Sequence, residues 1–180
     1  YDDLLPNYSK NGSWNGSDTD KYYQISFEDT QEPFDGSKCI QWKVGTRYGA
    51  VTFEMWPVQD WTRQAEKDYS LTFAMRTSEA FKGDIVVRFQ EYDSATTEQW
   101  RYGFKLNNTD LPADGQWHKI TKKMSELQCL GTRTPSWHDP DPTRACKWNI
   151  INKLEFAAEG NKELVGKTFG IDAVYIKKTN

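Results

Sequence analysis

The stretch Trp100-Arg101-Tyr102-Gly103-Phe104-Lys105-Leu106 decides the fold. Every second residue is apolar, and the residues between are basic or small. That is the period-2 signature of a strand with one face toward a core. The same alternation recurs along the chain. Ile40, Trp42 and Val44 alternate with Gln41 and Lys43, and Val51, Phe53 and Met55 with Thr52 and Glu54. Leu71, Phe73 and Met75 alternate with Thr72 and Ala74, and Ile85, Val87 and Phe89 with Val86, Arg88 and Gln90. Further strands read at Trp117–Thr121, Lys153–Ala158 and Thr168–Ile176, with weaker ones at Tyr1–Leu5 and Tyr22–Phe27. Turn chemistry separates them at Asp35-Gly36-Ser37, Lys82-Gly83-Asp84, Pro112-Ala113-Asp114-Gly115 and Glu159-Gly160-Asn161.

Helical periodicity is almost absent. Only Lys123–Gln128 invites a short helical turn, with Ser125 as its N-cap. Ser9–Asp20, rich in Asn, Gly and Ser, reads as a loop. Gln128–Trp148 reads as a long loop, of the kind that is usually functional or disordered. About nine strands without intervening helices predict antiparallel sheets, and two sheets must pack to cover their apolar faces. The expected fold is all-β, a two-sheet antiparallel β-sandwich of jelly-roll type. One domain over residues 1–180 is the default at this length.

Composition narrows the function. Eight Trp, nine Tyr and nine Phe make the chain 14% aromatic, yet it has only two His. Mean hydropathy is −0.85. A core of this size does not need eight indoles, so the excess suggests flat apolar surfaces that hold something flat, such as a sugar ring. The net charge of −3 argues against a nucleic-acid partner, which needs a basic patch. No apolar run approaches the ~20 residues of a membrane helix, so no membrane partner is expected. The chain opens at Tyr1 without a Met and reads as part of a longer protein. The absence of a leader therefore says nothing about location.

Three cysteines are present. Cys39 sits in an apolar strand and reads as a small buried thiol. Cys129 and Cys146 flank the long loop. A bridge between them would remove about 3 kcal/mol of loop entropy from the unfolded chain and imply an oxidising compartment. The alternative is two unrelated thiols. No spacing suggests zinc.

Asp114-Gly115-Gln116-Trp117-His118-Lys119-Ile120, followed by Met124-Ser125-Glu126-Leu127, resembles a recurrent strand of jelly-roll carbohydrate-binding modules. Lys167-Thr168-Phe169-Gly170-Ile171-Asp172-Ala173-Val174-Tyr175-Ile176 is similar to their closing strand, and Gly36-Ser37 before Cys39–Val44 to their opening. Together these span Asp35 to Ile176, most of the chain. The aromatic-groove type that binds β-glucan or xyloglucan fits best. The resemblance implies a monomeric, non-catalytic module, tethered to a secreted glycoside hydrolase and directing it to plant cell-wall polysaccharide. No cofactor is required. Such modules often carry a structural calcium, and Asp172 matches the Asp of the closing motif, with Asp2 or Glu28 as further oxygen donors.

Sugar binding needs an aromatic plane against the ring's C–H face and polar side chains against its hydroxyls. If Ile85, Val87 and Phe89 face the core, then Arg88, Gln90 and Tyr92 face outward, where Arg88 and Gln90 suit adjacent hydroxyls. The alternative is a polar outer face with a salt bridge to Glu54 or Glu91. Trp56, ending its strand before Pro57, is a rim stacking candidate. Trp61 either lines the site or plugs the sandwich end. Trp100 and Arg101 alternate, so either can face the groove. Trp137 lies on a proline-stiffened tip of the long loop. Trp42 and Trp117 are expected in the core. A hydrolase would need a defined carboxylate pair, and none stands out. Both His occupy poor positions for a nucleophile's base. A jelly-roll lyase or hydrolase, or a protein-binding adhesion domain, remains the competing reading.

Overall fold

Ile40, Trp42 and Val44 have no exposed surface, while Gln41 and Lys43 between them are exposed. That pattern, repeated strand by strand, builds the molecule. The computed structural model describes residues 8–16, 25–132 and 135–179. Among these are β1 (Tyr8–Asn11), β2 (Ile25–Asp29), β3 (Cys39–Lys43) and β4 (Ala50–Gln59). After α1 (Thr62–Glu66) come β5 (Tyr69–Arg76), β6 (Ile85–Glu91), β7 (Trp100–Leu106) and β8 (His118–Lys123). The last are β9 (Gln128–Thr132), β10 (Ile151–Ala157) and β11 (Thr168–Lys178). They form a six-stranded sheet, order β1-β4-β10-β6-β7-β9, and a five-stranded sheet, order β2-β3-β11-β5-β8. Every pairing is antiparallel. This is the expected jelly-roll sandwich.

The core lies between the sheets. Phe53, Phe73, Phe89, Phe156 and Phe169 are fully buried, and Phe73 meets Phe156 edge to face at 5.0 Å between centroids. Such edge-to-face pairs add to the stabilisation from apolar burial.

Three expectations about secondary structure need correction. Ser9–Asp20 is not all loop: β1 lies there, and Trp14 bridges Ala50. Gln128–Trp148 begins with β9, an edge strand that the Gly131 backbone bend disguises in sequence. The turn near Ser125 is a 3-10 turn, Met124–Glu126, and Ser125 does not cap it: Lys123 holds that position without a side-chain bond. Tyr1–Leu5 and Asp2 lie outside the described residues.

Trp42 is in the core, as expected. Trp117 is not. It is half-buried on the outer face of the five-stranded sheet, with the Arg76 guanidinium 4.7 Å from its ring centre. Parity explains this. Ile120, three residues on, faces the core opposite Phe73, so Trp117 must face away.

The Cys129–Cys146 bridge is not formed: all three cysteines carry free thiols. Burial pushes the Cys146 thiol well above its usual range, and the neighbouring Glu91 carboxylate adds to it. Burial likewise raises Cys39 to about 11. Thiolate fractions are therefore low, and a thiol-specific dye should label the native protein slowly at mildly alkaline pH. Unfolding without reductant should release all three thiols. Release of one alone would establish the bridge.

Asp172 is wholly buried. Its Oδ2 accepts the amide N–H of Phe34 (2.8 Å) and Asp35 (3.1 Å), and its Oδ1 accepts that of Ala173 (2.7 Å). Glu28 pairs with Lys38. No cluster of three or more His, Cys, Asp or Glu able to hold a metal occurs among the described residues. Of the expected calcium set, Asp172 thus holds backbone amides, Glu28 pairs with Lys38, and Asp2 lies outside the described residues.

Candidate functional site

The outer face of the six-stranded sheet follows from strand parity. With Val51, Phe53 and Met55 inward, Thr52, Glu54 and Trp56 point out. Register then sets their neighbours. Thr52 lies beside Glu155, Glu155 beside Arg88, and Arg88 beside Gly103. Glu54 lies beside Lys153, Lys153 beside Gln90, and Gln90 beside Arg101.

These two rows make a polar floor. Although they face away from the core, Thr52, Gln90, Arg101 and Glu155 are each less than 8% exposed. The floor is also electrically closed. Arg88 Nε donates to Glu155 Oε2 at 2.7 Å, and its other arm meets Glu159, which also pairs with Arg101. Burial works against the Arg88 charge, but Glu155 and Glu159 outweigh it and hold the guanidinium protonated. Lys153 pairs with Glu54 at 3.5 Å.

Glu159 adopts φ +47°, a region non-glycine residues rarely occupy. Its carboxylate bridges the two guanidiniums, a gain that offsets the backbone cost.

Aromatic rings stand at both ends of this face. Trp14 is 41% exposed and pairs with Ala50, so it shares the Thr52 face. Trp56, 44% exposed, lies six positions further along β4, about 20 Å at strand spacing. The Trp56 ring meets Tyr92 edge-on at 5.4 Å between centroids. Beside them opens a cleft of about 440 Å³, lined among others by Pro57, Asp93, Ser94, Lys147 and Asn149. Lys147 Nζ reaches Asp93 at 3.2 Å. The Ala95 amide and Lys147 hold the Asp93 carboxyl below the usual carboxylate range.

The structure thus brings together Trp56 and Tyr92, and separately Arg88, Gln90 and Arg101. The donors of Arg101 are committed to Glu159 and to the carbonyls of Leu130 and Gly131. Gln90 turns its amide to Asn152. Gln90 and Arg101 thus brace the floor internally, and Arg88, expected with Gln90 to meet sugar hydroxyls, is ion-paired within it. The alternative of a salt bridge on the polar outer face is met in kind, with Arg88 paired to Glu155 and Glu159 rather than Glu54 or Glu91.

Trp61 packs against the core at the sandwich end and its amide bonds to the Trp148 carbonyl, so it plugs rather than lines. Trp100 is not an open plane: His138 stacks on it at 5.5 Å and the Arg144 guanidinium lies 4.2 Å from its centre. Trp137 is 61% exposed on the long loop and lies outside the cleft lining. Sequence reasoning missed Glu155, Glu159, Lys147 and Asn149. Glu155 was readable as outward from its place between Leu154 and Phe156; the other three depend on loop positions that no period reports.

The fold is shared with solved structures. A family 30 carbohydrate-binding module superposes with a TM-score of 0.62 at 12% identity, covering 95% of this chain and 92% of that one. A family 11 module from Clostridium thermocellum, solved with a β-1,3-1,4-mixed-linked tetrasaccharide, gives 0.54 at 14% identity, covering 86% and 81%. An exo-β-agarase gives 0.58 at 14% identity, with this whole chain matching 24% of its length. No protein-family model and no curated protein matches the chain.

Proposed function

We propose that the protein is a non-catalytic module that binds a plant cell-wall polysaccharide, β-glucan, xyloglucan or similar, across the six-stranded face. The observation that carries this is the Trp56–Tyr92 cleft at the end of a buried, charge-balanced polar floor. An exposed indole offers a plane for a sugar's C–H face, and the cleft's Ser94, Asn149 and Lys147 offer hydrogen bonds to hydroxyls. The likeness to modules named for carbohydrate binding supports the reading. The exo-β-agarase match, in which this whole chain corresponds to 24% of a longer protein, supports a module tethered to a glycoside hydrolase.

The cleft's chemistry favours binding over hydrolysis. A glycosidase needs a carboxylic acid whose pKa is raised so that it can protonate the leaving oxygen. Asp93, the carboxyl group lining the cleft, is shifted the opposite way.

Calorimetry with mixed-linkage β-glucan, xyloglucan and agarose tests the proposal. Trp56→Ala should weaken binding of the recognised polymer by about 2 kcal/mol, roughly thirtyfold, with unchanged melting. No binding to any of these polymers, or equal affinity in the variant, would remove the cleft from consideration. Release of reducing ends would favour the enzyme reading.

A further inference from the structure

The five-stranded sheet carries a second recess on the opposite face of the sandwich. Gln41, Gly170 and Arg76 lie side by side across β3, β11 and β5, all pointing away from the core. Gly170 leaves a gap in that row. A Cβ there would come within 2.9 Å of both Trp117 Cη2 and Arg76 Cγ, so the missing side chain is what seats the indole and the guanidinium. Beside them lies a trough of about 200 Å³, lined by Asp29, Gln41, Arg76, Thr77, Ser78 and Thr168 among others.

The trough's walls are held rigidly. Gln41 Nε2 donates to Asp29 Oδ2 at 2.9 Å. Arg76 is fixed by Glu32, by the Gln31 carbonyl at 2.6 Å and by the Trp117 ring. Thr77 Oγ1 donates to the Thr168 carbonyl at 2.9 Å. Gln41 and Arg76 spend these donors on the bracing, so what the trough offers a ligand is the further acceptor capacity of the Asp29 and Gln41 oxygens and the Ser78 hydroxyl, on side chains already held in place. Asp29 and Arg76 balance in sign, which disfavours an anion. The volume is below the several hundred Å³ of drug-sized sites, so it admits one ring rather than a chain. Trp117 and the exposed Phe34 supply an apolar flank nearby.

We propose that this trough is a second saccharide site, taking a single neutral pyranose ring such as a chain end or side-branch sugar. It is independent of the Trp56 cleft. Two sites on opposite faces would let one module hold two chains, or two parts of one, and gain from effective concentration.

Amide NMR of the full chain separates the two sites. Probes are D-glucose, D-galactose, cellobiose and the β-1,3-1,4 tetrasaccharide. At least one should shift the Gly115 and Gly170 amides, whatever happens at Ser94 and Asn149 in the cleft. Gln41→Ala, an exposed substitution, should weaken the Gly115 and Gly170 response about tenfold while leaving the Ser94 and Asn149 response unchanged. Ser78→Ala should act in the same direction, and Trp56→Ala should leave the trough response intact. Silent Gly115 and Gly170 amides with every probe at millimolar concentration, or shifts untouched by both trough variants, would overturn the proposal. Failure at the cleft alone would overturn only the first reading.

Discussion

Replacing Glu91 by Ala should lower the unfolding free energy by about 3 kcal/mol. Glu91 is 1% exposed at the end of β6. Its oxygens take both arms of the Arg144 guanidinium at 2.9 and 3.0 Å, and one also accepts the Lys147 amide at 2.6 Å. Arg144 in turn bonds the Tyr102 hydroxyl and stacks on Trp100, which stacks on His138. One buried carboxylate therefore pins the long segment after β9 by an ionic and aromatic chain. Truncation would leave the guanidinium without its counter-charge and an amide without an acceptor. Arg144 keeps some solvent contact, which holds the cost at the low end for a broken buried pair. Denaturant titration gives the stability, and hydrogen exchange at Lys147 should accelerate together with it. Glu91→Gln, which keeps shape and one acceptor, should fall between. A loss below about 1 kcal/mol for the Ala variant would show that the segment is held elsewhere.

Asp172→Ala should cost a similar amount, about 3 kcal/mol, because three amide donors lose a buried acceptor at once. Two of those amides belong to Phe34 and Asp35 and the third to Ala173, whose φ is +46°, and the Asp172 charge also helps hold the nearby Cys39 thiol protonated. The variant should therefore loosen the chain at Phe34 and Asp35 as well as lower the melting temperature, and Cys39 should become reactive to a thiol dye. Asp172→Asn, retaining one acceptor oxygen, should lose less. Unchanged melting with a still-protected Cys39 would contradict this role.

The sandwich was legible in the sequence because period-2 alternation is a property of single strands. Each of β3 to β6 could be read in isolation, and the inside set followed; in β7 the alternation was readable but not which set faced inward. Strand partners could not. Arg88 read as outward, yet only the antiparallel register places it beside Glu155, and only a turn with unusual backbone geometry brings Glu159 over it. Trp117 was misplaced for a readable reason: counting three residues to Ile120 would have put it on the opposite face. The segment after Gln128 drew attention to its cysteines, whereas Glu91, 53 positions before its partner Arg144, anchors it. Nothing local marks such a contact.

The ion-paired floor has a last consequence. Each guanidinium on it is answered by a carboxylate, so little field extends past the Debye length, about 8 Å at physiological ionic strength. On the proposed reading, a polymer approaching this face is neither steered nor repelled by the floor. Its capture should proceed alike in dilute buffer and in brine, at a rate set by diffusion and by how often the chain presents its flat side.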